Sequence, residues 1–158
     1  MPCHDDKSES GQRPKRDRYR ISNTSALTMK QIFPDYIRAL YYYVEVMSDD
    51  EIADFYINDA RCREALFGAM RTDFDHFGQV SKQRVLDFIE FVLSSGDIQK
   101  YWGYVVPQEV ALDEVEDKVG YLRALYEKLA EHEPPQRDFG LDVELVDAIG
   151  PHGINVRQ

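Results

Sequence analysis

The chain has 158 residues, of which 43% are hydrophobic and 30% charged, with a formal net charge of −10. That balance describes a globular domain long enough to bury a real core and excludes a predominantly disordered chain. Its charge is unevenly placed: residues 13–20 carry five cations against one anion, whereas from Ile21 onward 13 Lys and Arg face 25 Asp and Glu, a net of −12.

Residues 1–27 hold almost no large apolar side chains before Tyr19, Ile21 and Leu27. Such a stretch cannot offset the entropy of ordering, so it is expected to be a flexible or partner-ordered basic arm. The acidic helical domain is expected over 28–150, with a short tail at 151–158. The first helix is expected near Pro34, because a missing N–H costs little at an early helical position. Phe33, Ile37, Leu40, Val44 and Met47 then form one apolar stripe. Tyr41, Tyr42 and Tyr43 are consecutive and point about 100° apart, so at least one must be exposed or docked on something.

Ser48-Asp49-Asp50-Glu51 has the pattern of a capping box opening a short helix that carries Ile52, Phe55 and Tyr56. Asn58 or Asp59 can cap a third helix with the stripe Cys62, Leu66, Met70 and Phe74. Ser81 is expected to begin the most hydrophobic helix, Val85 to Leu93, which is apolar around most of its circumference and therefore central. Gly96 suits its left-handed C-terminus. Residues 98–104 read equally as a helical turn or a short strand. The spacing of Leu112, Val115, Val119, Leu122, Tyr126 and Leu129 predicts a helix over 109–132 with a heptad seam. That seam can pack within its own bundle or form a homodimer through Leu112, Val119 and Tyr126. Gly120 costs such a helix about 1 kcal/mol relative to Ala. Leu141, Leu145, Val146 and Ile149 suggest a last short helix. The predicted fold class is all-α, a single compact bundle of about five to seven helices.

Residues 73–84 place Asp73, Asp75, Gly78 and Val80 at positions 1, 3, 6 and 8 of a twelve-residue loop. They thereby resemble a calcium-binding EF-hand loop. Phe77 stands where an oxygen ligand belongs, and Arg84 replaces the bidentate glutamate. The resemblance therefore implies a degenerate, calcium-free corner; the plain alternative is a helix–turn–helix corner turned by Gly78 and capped by Ser81. His4, His76, His132 and His152 are scattered, and Asp75-His76 could in principle be an acid–base pair.

No catalytic motif, cofactor or metal is expected. Cys3 and Cys62 cannot build a disulfide framework, the start of the chain lacks a secretory pattern, and no run approaches the ~18 apolar residues of a membrane span. A cytoplasmic location is expected. The leading functional expectation is a non-enzymatic interaction module, an acidic inhibitor or immunity-type protein that masks the basic surface of a nucleic-acid-binding or toxic enzyme. Its expected contact residues are Tyr41, Tyr42, Tyr43, Asp49, Asp50, Asp54, Asp113, Glu114, Glu116 and Asp117. The alternative is a structural or regulatory subunit of a larger assembly, built around the EF-hand-like corner. Weak nucleic-acid contact through Arg16, Arg18 and Arg20 is a third expectation.

Overall fold

The computed structural model describes residues 29–146. Within them the order is β1 (Lys30–Ile32), a 3-10 helix (Pro34–Tyr41), α1 (Tyr42–Glu45), α2 (Asp49–Ala53), α3 (Ala60–Asp75), α4 (Gln79–Ser95), α5 (Ile98–Val105), α6 (Lys118–Ala130) and β2 (Val143–Leu145). The fold is all-α with about six helices, apart from the two three-residue strands. The basic arm, with Arg16, Arg18 and Arg20, and the tail beyond Ile149 lie outside the described residues.

The centre is α4, which buries Val85, Phe88, Ile89, Phe91 and Val92. It packs against the 3-10 helix, α5, α6 and β1. Pro34 does open its helix, and the opening is 3-10 because Pro34, Ile37 and Leu40 recur every three residues and are all buried. The capping box forms as expected: the Ser48 hydroxyl accepts from Glu51 N–H at 3.2 Å, and the Glu51 carboxylate accepts from Ser48 N–H at 2.7 Å. Asp59 caps α3 and accepts from Arg61 and Cys62 N–H. Behind this cap Leu66, Met70 and Phe74 face the core. Gly96 ends α4 in the left-handed conformation at φ 70°.

Three expectations are corrected and one left open is resolved. The helix expected over 109–132 begins only at Lys118, with Asp117 as its N-cap. Val115 keeps the heptad spacing from an irregular stretch, buried there because Asn58 clamps the backbone on both sides of it: the Asn58 amide donates to Glu114 O, and its carbonyl accepts from Glu116 N–H. No continuous seam exists: Leu112 is half-buried in that stretch, Val119 is exposed, and Tyr126 is buried in its own core.

The second correction concerns the corner at 73–84. Asp73 and Asp75 are still in α3, α4 starts at Gln79, and only 76–78 intervene, so no twelve-residue loop is present. Gly78 is the N-cap of α4 with an ordinary φ of −68°, and Ser81 is a buried helical residue, not the cap. Third, residues 143–145 form β2 and not a helix, pairing in parallel with β1 in the register Lys30↔Val143. The 98–104 stretch, which read as helix or strand, is the helix α5.

Glycine placement gives a stability prediction. A Cβ on Gly120 would lie 2.2 Å from Asp117 Oδ2, the side chain whose Oδ1 caps α6 through Gly120 N–H at 2.9 Å. Gly68, mid-α3, has no atom within 4 Å of that position. Gly68→Ala is therefore expected to stabilise by about 0.5–1 kcal/mol. Gly120→Ala is expected to give no gain, because displacing the cap costs about 0.5–2 kcal/mol. Equal gains in urea titrations would mean that the cap is not what requires glycine.

Candidate functional site

The candidate site is the surface carried by α1, α2 and the 113–119 stretch. The helix α2 is short, and none of its residues is buried. It is held by its capping box and by Ile52 and Phe55 packing toward the core. Asp49, Asp50 and Glu51 occupy its first turn, where the positive end of the helix dipole favours them, and Asp54 follows its last residue. All four carboxylates are exposed.

The chain leaving α2 passes through buried Phe55 and Ile57 to Asn58. The Asn58 clamp fixes 114–116 against that segment, so the second acidic group lies against the chain that follows the first. Within it, Asp113 and Glu116 are exposed. Glu114 pairs with Lys118 at 2.9 Å, and this hydrogen bond, aided by the ammonium charge, holds its carboxyl below the usual range. Asp117 is spent on the α6 cap. Asp59, at the start of α3, is likewise held low by the N–H groups of Cys62 and Arg61.

The three consecutive tyrosines divide sharply. Tyr41 is fully buried and shares a hydrogen bond of 2.9 Å with Tyr121, so it cannot be a docking anchor. Tyr43 is half-buried, its ring edge-on to Phe55 at 6.4 Å. Tyr42 projects outward at 63% exposure. Two residues not placed among the contacts from the sequence join it: Val46 at 55%, and Tyr56 at 54%, which lies beyond the end of α2 at Ala53 and not on it as expected. Both flank α2, and Val119 is exposed as the second residue of α6. Consecutive aromatic residues announce that one must face out, but not which one. Val46 and Tyr56 carry no local signal that separates them from core residues.

Other chemistry is engaged within the fold. The His76 Nδ1 contacts Thr72 O at 2.8 Å while Asp75 pairs with Arg71, so the two do not face each other as an acid–base pair. Among the described residues no group of three or more His, Cys, Asp or Glu is placed to hold a metal. No described helix is long and apolar enough to cross a membrane.

A charged cluster that sequence reasoning missed lies on the other side of α4. Glu90 is buried, accepting from Tyr126 Oη at 2.6 Å and from Arg137 Nη1 at 2.9 Å. Arg137 also reaches Asp87 at 2.7 Å, and Lys30 lies 3.8 Å from the other Asp87 oxygen. These groups satisfy one another and tie the strap after α6 down onto α4. The signal for them was Glu90 itself, an acid within the most apolar helix.

Comparison of the chain with known protein families, curated proteins and solved structures gives no match.

Proposed function

We propose that this protein is a non-enzymatic interaction module whose acidic edge docks on, and masks, a basic surface of a partner protein, in the manner of an acidic inhibitor or immunity protein. The observation that carries this reading is the exposure of Tyr42, Val46 and Tyr56 around a helix with four solvent-facing carboxylates. Tyrosine is a preferred anchor of interface centres, and a rim of one charge sign steers a partner of the other sign into contact. The partner is expected to be rich in Lys and Arg, as nucleic-acid-binding and toxic enzymes are.

The test compares tagged wild-type protein with two variants in capture from native extract, followed by association kinetics with the protein recovered. One variant reverses Asp54, Asp113 and Glu116 to Lys; the other replaces Tyr42 and Tyr56 by Ala. Glu114 and Asp117 are left intact because they hold Lys118 and the α6 cap. The reversal is expected to slow association tenfold or more, and added salt to slow the wild type similarly. The tyrosine variant is expected to accelerate dissociation. Association indifferent to salt and to both variants would rule the reading out.

A second reading, a regulatory subunit of a larger assembly, is favoured by an open groove beside the start of α4, lined by Met29, Phe33 and Val80.

A further inference from the structure

The two-stranded sheet leaves one side of β1 without a neighbouring strand among the described residues. The ladder to β2 uses Lys30 and Ile32: Lys30 N–H donates to Asp142 O at 3.0 Å, and Ile32 O accepts from Val146 N–H at 2.8 Å. In a parallel pair the intervening residue turns its backbone groups the other way, so Gln31 N–H and C=O face away from β2. Along that side runs a groove of about 510 Å³ between β1 and the first half of α4. Two large apolar side chains exposed to solvent line it, Met29 at 50% and Val80 at 46%, with half-buried Phe33 beside them. An open backbone edge and an apolar channel thus coincide, which is the arrangement by which sheets accept an extended peptide.

The charges of the groove select the occupant. Arg84 lies 4.0 Å over the Phe33 ring and donates to the Tyr36 hydroxyl, which fixes its guanidinium at the wall. Lys30, its side chain 40% exposed and 3.8 Å from the Asp87 carboxylate that Arg137 also holds, provides a second cation. The one carboxylate lining the groove, Asp87, is already bound to Arg137. On a body that is otherwise strongly acidic, this channel is suited to carboxylates. The same two cations disfavour the cationic 13–20 stretch of this chain as the occupant.

We propose that this groove is a strand-addition site for an extended acidic segment of a partner protein. The segment's backbone pairs with Gln31, an apolar side chain enters between Met29 and Val80, and flanking carboxylates meet Lys30 and Arg84. The site is independent of the acidic edge and of opposite polarity, so one protein can hold two partners of different charge.

The probe is a pool of nine-residue peptides that alternate Glu or Asp with Val, Ile, Leu or Phe, titrated into the full chain by NMR. A matched pool has Lys in place of the acids. Acidic members are expected to bind at least tenfold more tightly than their Lys counterparts and to shift the Gln31 and Val80 amides. Gln31→Pro removes the outward N–H without touching the backbone bonds to β2, at the cost of the exposed 3.5 Å side-chain contact to Glu144, and is expected to weaken binding at least tenfold. Val80→Glu, which leaves the backbone intact, is expected to do the same. Equal binding of both pools, or wild-type affinity in both variants, would overturn the proposal. So would the absence of binding by any acidic member up to millimolar concentration. Slow hydrogen exchange at Gln31 in the peptide-free chain would also overturn it, by showing the edge taken by residues 1–28 or by a second copy.

Discussion

Replacing Arg137 by Met is expected to destabilise the domain by about 3–5 kcal/mol, the usual consequence of stripping a buried carboxylate of its cation. Glu90 is buried, at 6% exposure, in the middle of α4, with Tyr126 as its remaining donor once the guanidinium is gone. Asp87, with its side chain 14% exposed, would keep the Gln83 amide, which donates to it at 2.9 Å, and Lys30 at 3.8 Å. The Arg137 side chain is itself 35% exposed, so the loss arises from the buried acid left behind and not from the solvent-facing arginine. Urea unfolding should show a drop of this size, with a fall in Tm on the order of 10 °C or more. Removing Glu90 together with its two donors in Glu90→Leu/Tyr126→Phe/Arg137→Met should recover most of the loss, because no buried acid is then left without its cation and the more accessible Asp87 keeps Gln83 and Lys30. A single variant within about 1 kcal/mol of wild type would show that water or Lys30 takes over from Arg137.

The second large effect is a loss of stability in alkali. Tyr41 and Tyr121 are fully buried, bonded to each other at 2.9 Å, with Phe67 and Trp102 edge-on to Tyr121. Burial raises both phenols: Tyr41 is pushed well above its ordinary value, with Tyr121 reinforcing the shift, and Tyr121 is pushed up despite the opposing effects of Tyr41 and Arg63. The folded protein therefore keeps two protons that the unfolded chain gives up near pH 10. Their contribution is fully present below that pH and is lost as pH rises toward the folded-state values. Above about pH 10 the pair should remove up to ~2.7 kcal/mol of stability per pH unit, ~1.4 for each phenol.

The check is urea unfolding between pH 8 and 11, with phenolate absorbance followed in parallel. Tyr41→Phe/Tyr121→Phe should reduce that slope at little cost at pH 7, leaving the share of Tyr126, whose phenol is also pushed up by burial and by Glu90. Either single change should cost about 1–3 kcal/mol, because one buried hydroxyl is then left alone. A slope unaltered by the double substitution would place the alkaline sensitivity elsewhere.

These two networks show where the sequence is readable and where it is not. Local chemistry is legible: Ser48 with Glu51, Asp59 ahead of the α3 stripe, and Gly96 after α4 each act within four residues, and each is found in place. The seam at 109–132 misleads because spacing alone cannot report that Val115 is held by Asn58, 57 residues earlier. Asp117 before Lys118 was the available sign of a later helix start. The two strands are three residues long and pair across 113 positions, which leaves no periodic trace. Long-range partners also explain the acidic edge: the carboxylates were visible, but the choice of Tyr42 over Tyr41 depends on Tyr121, 80 positions away.

The pairing of β1 with β2 brings the first and the last of the described elements side by side, with all seven helical elements of the described residues enclosed between them. Closing so long a loop is entropically costly and cannot precede the helical core that supports it. The sheet is thus a late-fastening buckle on a ring. Cutting the ring elsewhere and splicing its two ends would keep every helix in its native order around the circle.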